Sequence, residues 1–189
     1  MNFQPSAPPV LSGEERFHGL DASVRDFWRF AMGDLRTNNV RGYLAEYFVA
    51  RAVGATGGRV EWDAWDVTAP DGTKIEVKAS GFLQAWDQSK LSSPSFRVAP
   101  SFGWDASAGD RSTEQLFHAD VYVFCLHTAT SHDEYDPLDT SQWLFYVASS
   151  EVIELRGGSR MGVSTLGVVV GEPVAYAELA SAVAAETGS

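Results

Sequence analysis

A chain of 189 residues, 44% apolar and 21% charged, is long enough for one well-packed domain and too short for two comfortable ones. Its net charge of −11 argues against a general polyanion binder, and the single cysteine, Cys125, excludes an intrachain disulfide. No apolar run approaches the roughly 20 residues of a membrane span, and the N-terminus lacks a basic region followed by an apolar core, so a cytoplasmic protein with a buried structural thiol is expected.

The charge is unevenly spread. Residues 1–60 hold seven Arg against six acids, whereas residues 101–154 hold only Arg111 against ten acids, a balance of −9. The acidic 101–154 segment is therefore a candidate surface for a protein partner, and a basic face elsewhere stays open.

Residues 1–12, rich in Pro and Ser, read as a flexible arm, and residues 13–189 as a single domain. Residues 13–35 carry Val24, Phe27, Trp28, Ala31 and Met32 at helical spacing after a cap at Asp21 or Ser23. A second helix, capped by Asn38 or Asn39 and ending at Gly54, is apolar nearly all round and reads as buried, with Glu46 almost alone among apolar neighbours. Small Gly42 and Ala50, one turn to either side of Glu46, would let it lie close to a sheet. "RVEWDAW" then leads into a hairpin, "GFLQAWDQSKL" has the spacing of a short helix, and residues 92–118 form a long excursion. "ADVYVFCLHT" and "QWLFYVAS" are strong strands around the polar loop "SHDEYDPLDT", "SSEVIELR" is a short helix, "GVVV" a small strand, and "EPVAYAELASAVAAE" a closing helix. The order is that of a mixed α/β domain: helix, three strands, helix, strand, then an extra strand and C-terminal helices.

The hairpin "WDVTAPDGTKIEVKAS" turns on Pro70-Asp71-Gly72, a triplet suited to a three-residue loop. Centring the turn on Asp71 pairs Thr68 with Lys74 and Asp66 with Glu76, and places Glu76 and Lys78 on one face, with Ile75, Val77 and Ala79 on the other. Two opposed carboxylates repel, so they call for a shared proton or a cation.

Glu46 on a buried helix, Asp66 before the turn and Glu76-Val77-Lys78 after it resemble the PD-(D/E)XK nuclease superfamily, in its Holliday-junction-resolvase-like or uncharacterised branches, over about residues 38–148. Gln84 matches the glutamine that follows the Glu-x-Lys strand there; Trp65 stands where that family often has Pro. The resemblance implies a restriction-endonuclease-like core and a Mg²⁺-dependent endonuclease acting on DNA, with Mn²⁺ as a substitute. Asp66, Glu76 and the Val77 carbonyl would be the metal ligands, Glu46 would hold outer waters or a second ion, Lys78 would orient the water or balance developing charge, and Gln84 would position a phosphate or the Lys78 amine. Double-strand cleavage would call for a homodimer. The rival reading is a catalytically silent module of a defence or repair complex that binds a partner through residues 101–154.

Other candidates have plainer readings. "SHDEYD" is better explained as a polar connection than as a metal loop. His118, Asp120 and His127 lack a second ligand pair, Ser149-Ser150 fits a helix cap, and Trp86 is either core or a base-stacking residue. Arg25, Arg29, Arg36, Arg41, Arg51 and Arg59 line a phosphate track or are scattered surface charges.

Overall fold

The computed structural model describes residues 9–59, 63–105 and 110–188. The chain divides into two compact units, Met1–Leu35 and Arg36–Ser189. In the first, helix α1 (Val24–Met32) begins at Ser23, whose side chain accepts from the Asp26 N–H while the Asp26 carboxylate accepts from the Ser23 N–H. This reciprocal cap starts the helix after Ser23, one of the two cap positions expected, so the helical spacing is taken up from Val24.

The second unit runs α2 (Asn38–Val53), β1 (Val67–Thr68), β2 (Lys74–Gly81), β3 (Ser95–Arg97), β4 (Ser101–Asp105), β5 (Asp110–Leu116), β6 (Val121–His127), β7 (Trp143–Ser149), α3 (Ser150–Arg156), β8 (Arg160–Gly162), α4 (Val163–Val169) and α5 (Leu179–Glu186). Its main sheet has the order β1-β2-β6-β7, with β2 and β6 parallel and the outer pairs antiparallel. All seven residues of β6 are buried, because both faces of the sheet are covered. On one face Ile75, Val77, Val121, Val123 and Cys125 pack against Ala45, Phe48 and Val49 of α2 and Leu179 and Val183 of α5. On the other, Tyr122, Phe124 and Leu126 meet Phe96, Ile153, Met161 and Leu166. Burial pushes the Cys125 thiol well above its ordinary pKa, as befits an inert core residue.

Several expectations are corrected. Helix α2 starts after Thr37, and it is not apolar all round: Tyr43 and Tyr47 are exposed while Arg41 is buried. A side chain at Gly42 would meet only open space, and it is Ala45, fully buried, that brings the helix onto the sheet. No helix follows β2. The Gln88 side chain accepts from the Gln84 N–H at 2.7 Å and donates to the Phe82 carbonyl and the Ser92 hydroxyl, so side-chain amides take the bonds a helix would have made. The excursion instead holds β3, paired with β8, and the β4–β5 hairpin. "GVVV" ends α4 rather than forming a strand, because Val163, Leu166 and Val170 share a helical stripe facing the second core layer. The strand expected in "RVEWDAW" falls partly on residues 60–62, outside the described residues, and 63–66 are bends. Among the described residues no helix is long and apolar enough to cross a membrane.

Candidate active site

The β1–β2 turn forms as its chemistry dictates. The Ala69 N–H donates to the Thr73 carbonyl and the Gly72 N–H to Ala69, both at 2.9 Å, while the Asp71 carboxylate accepts from the Thr73 N–H. Gly72 takes φ +94°, the left-handed value that this turn requires and a side chain resists. Val67 then pairs with Ile75 and Thr68 with Lys74, which puts Asp66 level with Glu76.

Asp66 lies one residue beyond the strand, and its carboxylate accepts from the Val77 N–H at 2.7 Å. In a strand the N–H and C=O of one residue project to the same side, so the Val77 carbonyl turns toward this same edge. Glu76 is only 19% exposed and forms an ion pair with Lys78, two residues along the same face. Burial raises the Glu76 pKa and the Asp66 charge adds to the rise, with Lys78 opposing both. The Tyr122 hydroxyl is pushed up as well, by burial first and then by the Glu76 charge. Glu76 and Lys78 open onto a cavity of about 240 Å³ shared with Arg97, Ser101, His118 and Tyr122.

Glu46 is placed differently. It is 13% exposed, and its carboxylate accepts from Arg59 Nε at 2.6 Å. The Arg59 guanidinium also stacks over Tyr43, 4.6 Å from the ring centre. Glu46 and Asp66 line a hollow of about 390 Å³ together with Asp63 and Trp65. Asp66 thus stands at the junction: electrostatically coupled to Glu76 and sharing a hollow with Glu46. Gln84 faces a third cavity, with Arg41 and Ser80. Its amide donates to Gly81 O and the Ser92 hydroxyl.

Among the described residues no three His, Cys, Asp or Glu side chains gather closely enough to cage a metal. The Asp66–Glu76 pair, with a carbonyl on the same edge, still fits a hard cation that keeps most of its waters and needs only one or two carboxylates. Acids of the 130–140 loop have other partners: Asp136 accepts from the Leu138 N–H and Asp139 from the Ser141 N–H. Trp86 is exposed and lies outside any helix. Three cavity residues, Arg97, His118 and Tyr122, carry no sequence signal of their own. Arg41 does: it shares a helical stripe with buried Ala45 and Phe48.

No curated protein matches the chain. The solved structure of a bacterial homing endonuclease, I-Ssp6803I, is similar over 66% of this chain and 76% of its own length, at 16% identity and a TM-score of 0.37. Residues 31–159, more than half of the chain, match the family model of bacteriophage T4 endonuclease IV. This protein belongs to the bacteriophage T4 endonuclease IV family.

Proposed function

We propose that this chain is a metal-dependent DNA endonuclease of the PD-(D/E)XK type, hydrolysing phosphodiester bonds at the open end of the β1–β2 hairpin. One observation carries the reading: in a chain of an endonuclease family, two crowded carboxylates, Asp66 and Glu76, share an edge with Lys78 two residues beyond the second. A hairpin followed by a strand parallel to its second arm also accords with a restriction-endonuclease-like core.

Asp66, Glu76 and the Val77 carbonyl would hold Mg²⁺, or Mn²⁺ in its place, with Glu46 on the outer side of Asp66. The cation would supply Lewis acidity toward the phosphoryl oxygens. With Glu76 holding the cation, Lys78 would be free to present its ammonium to the charge that develops on the phosphate or to the attacking water. The Val77 N–H keeps Asp66 fixed, so the two carboxylates present a constant spacing. Arg59 neutralises Glu46.

The test is cleavage of plasmid and of single-stranded circular DNA in Mg²⁺, Mn²⁺ or EDTA. The wild type should cut only with metal, and Asp66→Asn, Glu76→Gln and Lys78→Ala should each lose about 100-fold or more while remaining folded. Divalent metal should raise the melting temperature of the wild type but not of Asp66→Asn. Unchanged cutting by these variants refutes the assignment. A wild type that neither cuts nor responds to metal would leave the silent, partner-binding module.

A further inference from the structure

The third cavity, at the C-terminal end of β2, contains Gln84 but none of the carboxylates proposed to hold the metal. It measures about 370 Å³ and is lined by Asn38, Arg41, Ser80, Gly81, Gln84 and Ser92, among others. Arg41 is 2% exposed, among the most deeply buried large side chains of the protein. Its Nη2 donates to two backbone carbonyls, Arg36 O at 2.8 Å and Leu83 O at 2.7 Å. Its Nε is buried with no partner, and no carboxylate is ion-paired with it among the described residues. A Cβ at residue 81 would stand 3.1 Å from Arg41 Nη1, so glycine there leaves room for the guanidinium to lie against the strand.

A guanidinium keeps its charge in a protein, and a buried charge without a counterion is strongly unfavourable. Two carbonyl dipoles offset part of that cost, and an anion would offset the rest. The cavity is suited to receive one. Asn38 is the first residue of a 16-residue helix, whose positive end lies at the same place. The serines add hydroxyl donors. Gln84 Oε1 is likewise buried without a partner, an acceptor that a phosphate alone does not satisfy but a nucleotide hydroxyl or N–H does. Ser80 sits two residues beyond Lys78 on the same face of β2, about 6.6 Å along the strand. That is a nucleotide-scale step from the proposed reaction centre. Among the described residues β1 pairs only with Lys74 and Ile75, so no strand pairs with the β2 edge between the two places.

We infer that this cavity is a phosphate-binding subsite with Arg41 as its cation, holding a phosphate of the nucleic-acid strand next to the one that is cut. The inference rests on the nuclease reading for the source of the phosphate, and its test does not require cleavage.

Binding is measured in EDTA, by fluorescence anisotropy, for the full-length protein and one short single-stranded oligonucleotide in 5′-phosphorylated and 5′-hydroxyl forms. Arg41→Gln and Gln84→Ala should each weaken binding, the first by about tenfold or more, as expected for loss of charge-assisted hydrogen bonds. A preference of the wild type for the 5′-phosphorylated form assigns the subsite to a terminal phosphate; equal, Arg41-dependent binding assigns it to an internal one. Should Arg41→Gln not fold, inorganic phosphate decides: at matched ionic strength it should raise the melting temperature of the wild type above that in chloride, and by less in Ser80→Ala, which lacks one hydroxyl donor of the cavity. Affinity unchanged in both variants, or a phosphate response no different from chloride, overturns the subsite. Arg41-dependent binding without cleavage in any metal refutes the nuclease reading alone, and metal-dependent cleavage with Arg41-independent binding refutes the subsite alone.

Discussion

Glu76 carries a charge that the fold itself does not favour. It is largely buried, the Asp66 charge adds to the cost, and Lys78, with a smaller contribution from His118, compensates it. A group arranged for stability alone would be neutral here. Glu76→Gln removes the repulsion and most of the desolvation cost, while Lys78, 30% exposed, can recover water in place of its partner. The variant should therefore melt higher than the wild type at neutral pH without divalent metal, by about 2–4 °C, the shift that about 1 kcal/mol produces in a chain of this length. It should also be inactive. Stabilisation with loss of activity marks a residue retained for chemistry, whereas a drop in melting temperature on calorimetry would make the ion pair with Lys78 structural.

Among the elements, the loop joining β6 to β7 docks through one ring. His127, fully buried at the end of β6, stacks on Tyr135 with centres 4.0 Å apart and meets the edge of Trp143. Its Nδ1 accepts from the Ala129 N–H and its Nε2 faces the Asp136 carbonyl, an arrangement that suits one neutral tautomer. Burial lowers its pKa; Arg41 adds to that, while the Asp136 carbonyl and the Asp136 and Asp139 charges oppose it. Since the unfolded chain takes up the proton first, stability is complete above the ordinary histidine range near 6.5 and declines as pH falls toward the folded value. Unfolding free energy followed from pH 8 to pH 5 should fall through this window, with a slope approaching about 1.4 kcal/mol per pH unit, the melting temperature falling with it, and His127→Phe should flatten the profile. An identical profile in the variant would assign the acid sensitivity elsewhere. The loop and its flanking strands were legible in the sequence, and so was the Asp66–Glu76 level in the hairpin, because turn chemistry and alternation act over a few residues. The irregular path after β2 was not. The bonds that replace its helix come from Gln84 and Gln88 reaching Ser92, an outcome that local spacing does not encode. Nor does a helical Arg reveal that Gly81 and Leu83, some forty residues on, will bury it. The engagement of Glu46 by Arg59 depends likewise on how the chain returns after α2.

For the molecule as a whole, a net charge of −11 sets how it can hold a polyanion. Long-range attraction is absent, so affinity must come from a few cations at short range. Within the second unit these are Lys78 and Arg97 on the Glu76 cavity and Arg41 on the neighbouring one. Three phosphate contacts on a single strand release few counterions, and log affinity against log salt should have a slope of only about −2. A protein with a broad basic track would show a far steeper dependence. The measurement is oligonucleotide anisotropy with Glu76→Gln in EDTA between 50 and 200 mM salt, over which affinity should drop by roughly tenfold to twentyfold. A slope near −5 would require about seven phosphates, more than these three residues can neutralise, and would bring the other arginines of residues 1–60 into the interface. A shallow slope has a functional corollary. Such a protein does not coat nucleic acid; it engages where a strand can enter the β2 edge, and its selectivity then lies in the shape of that entry rather than in charge.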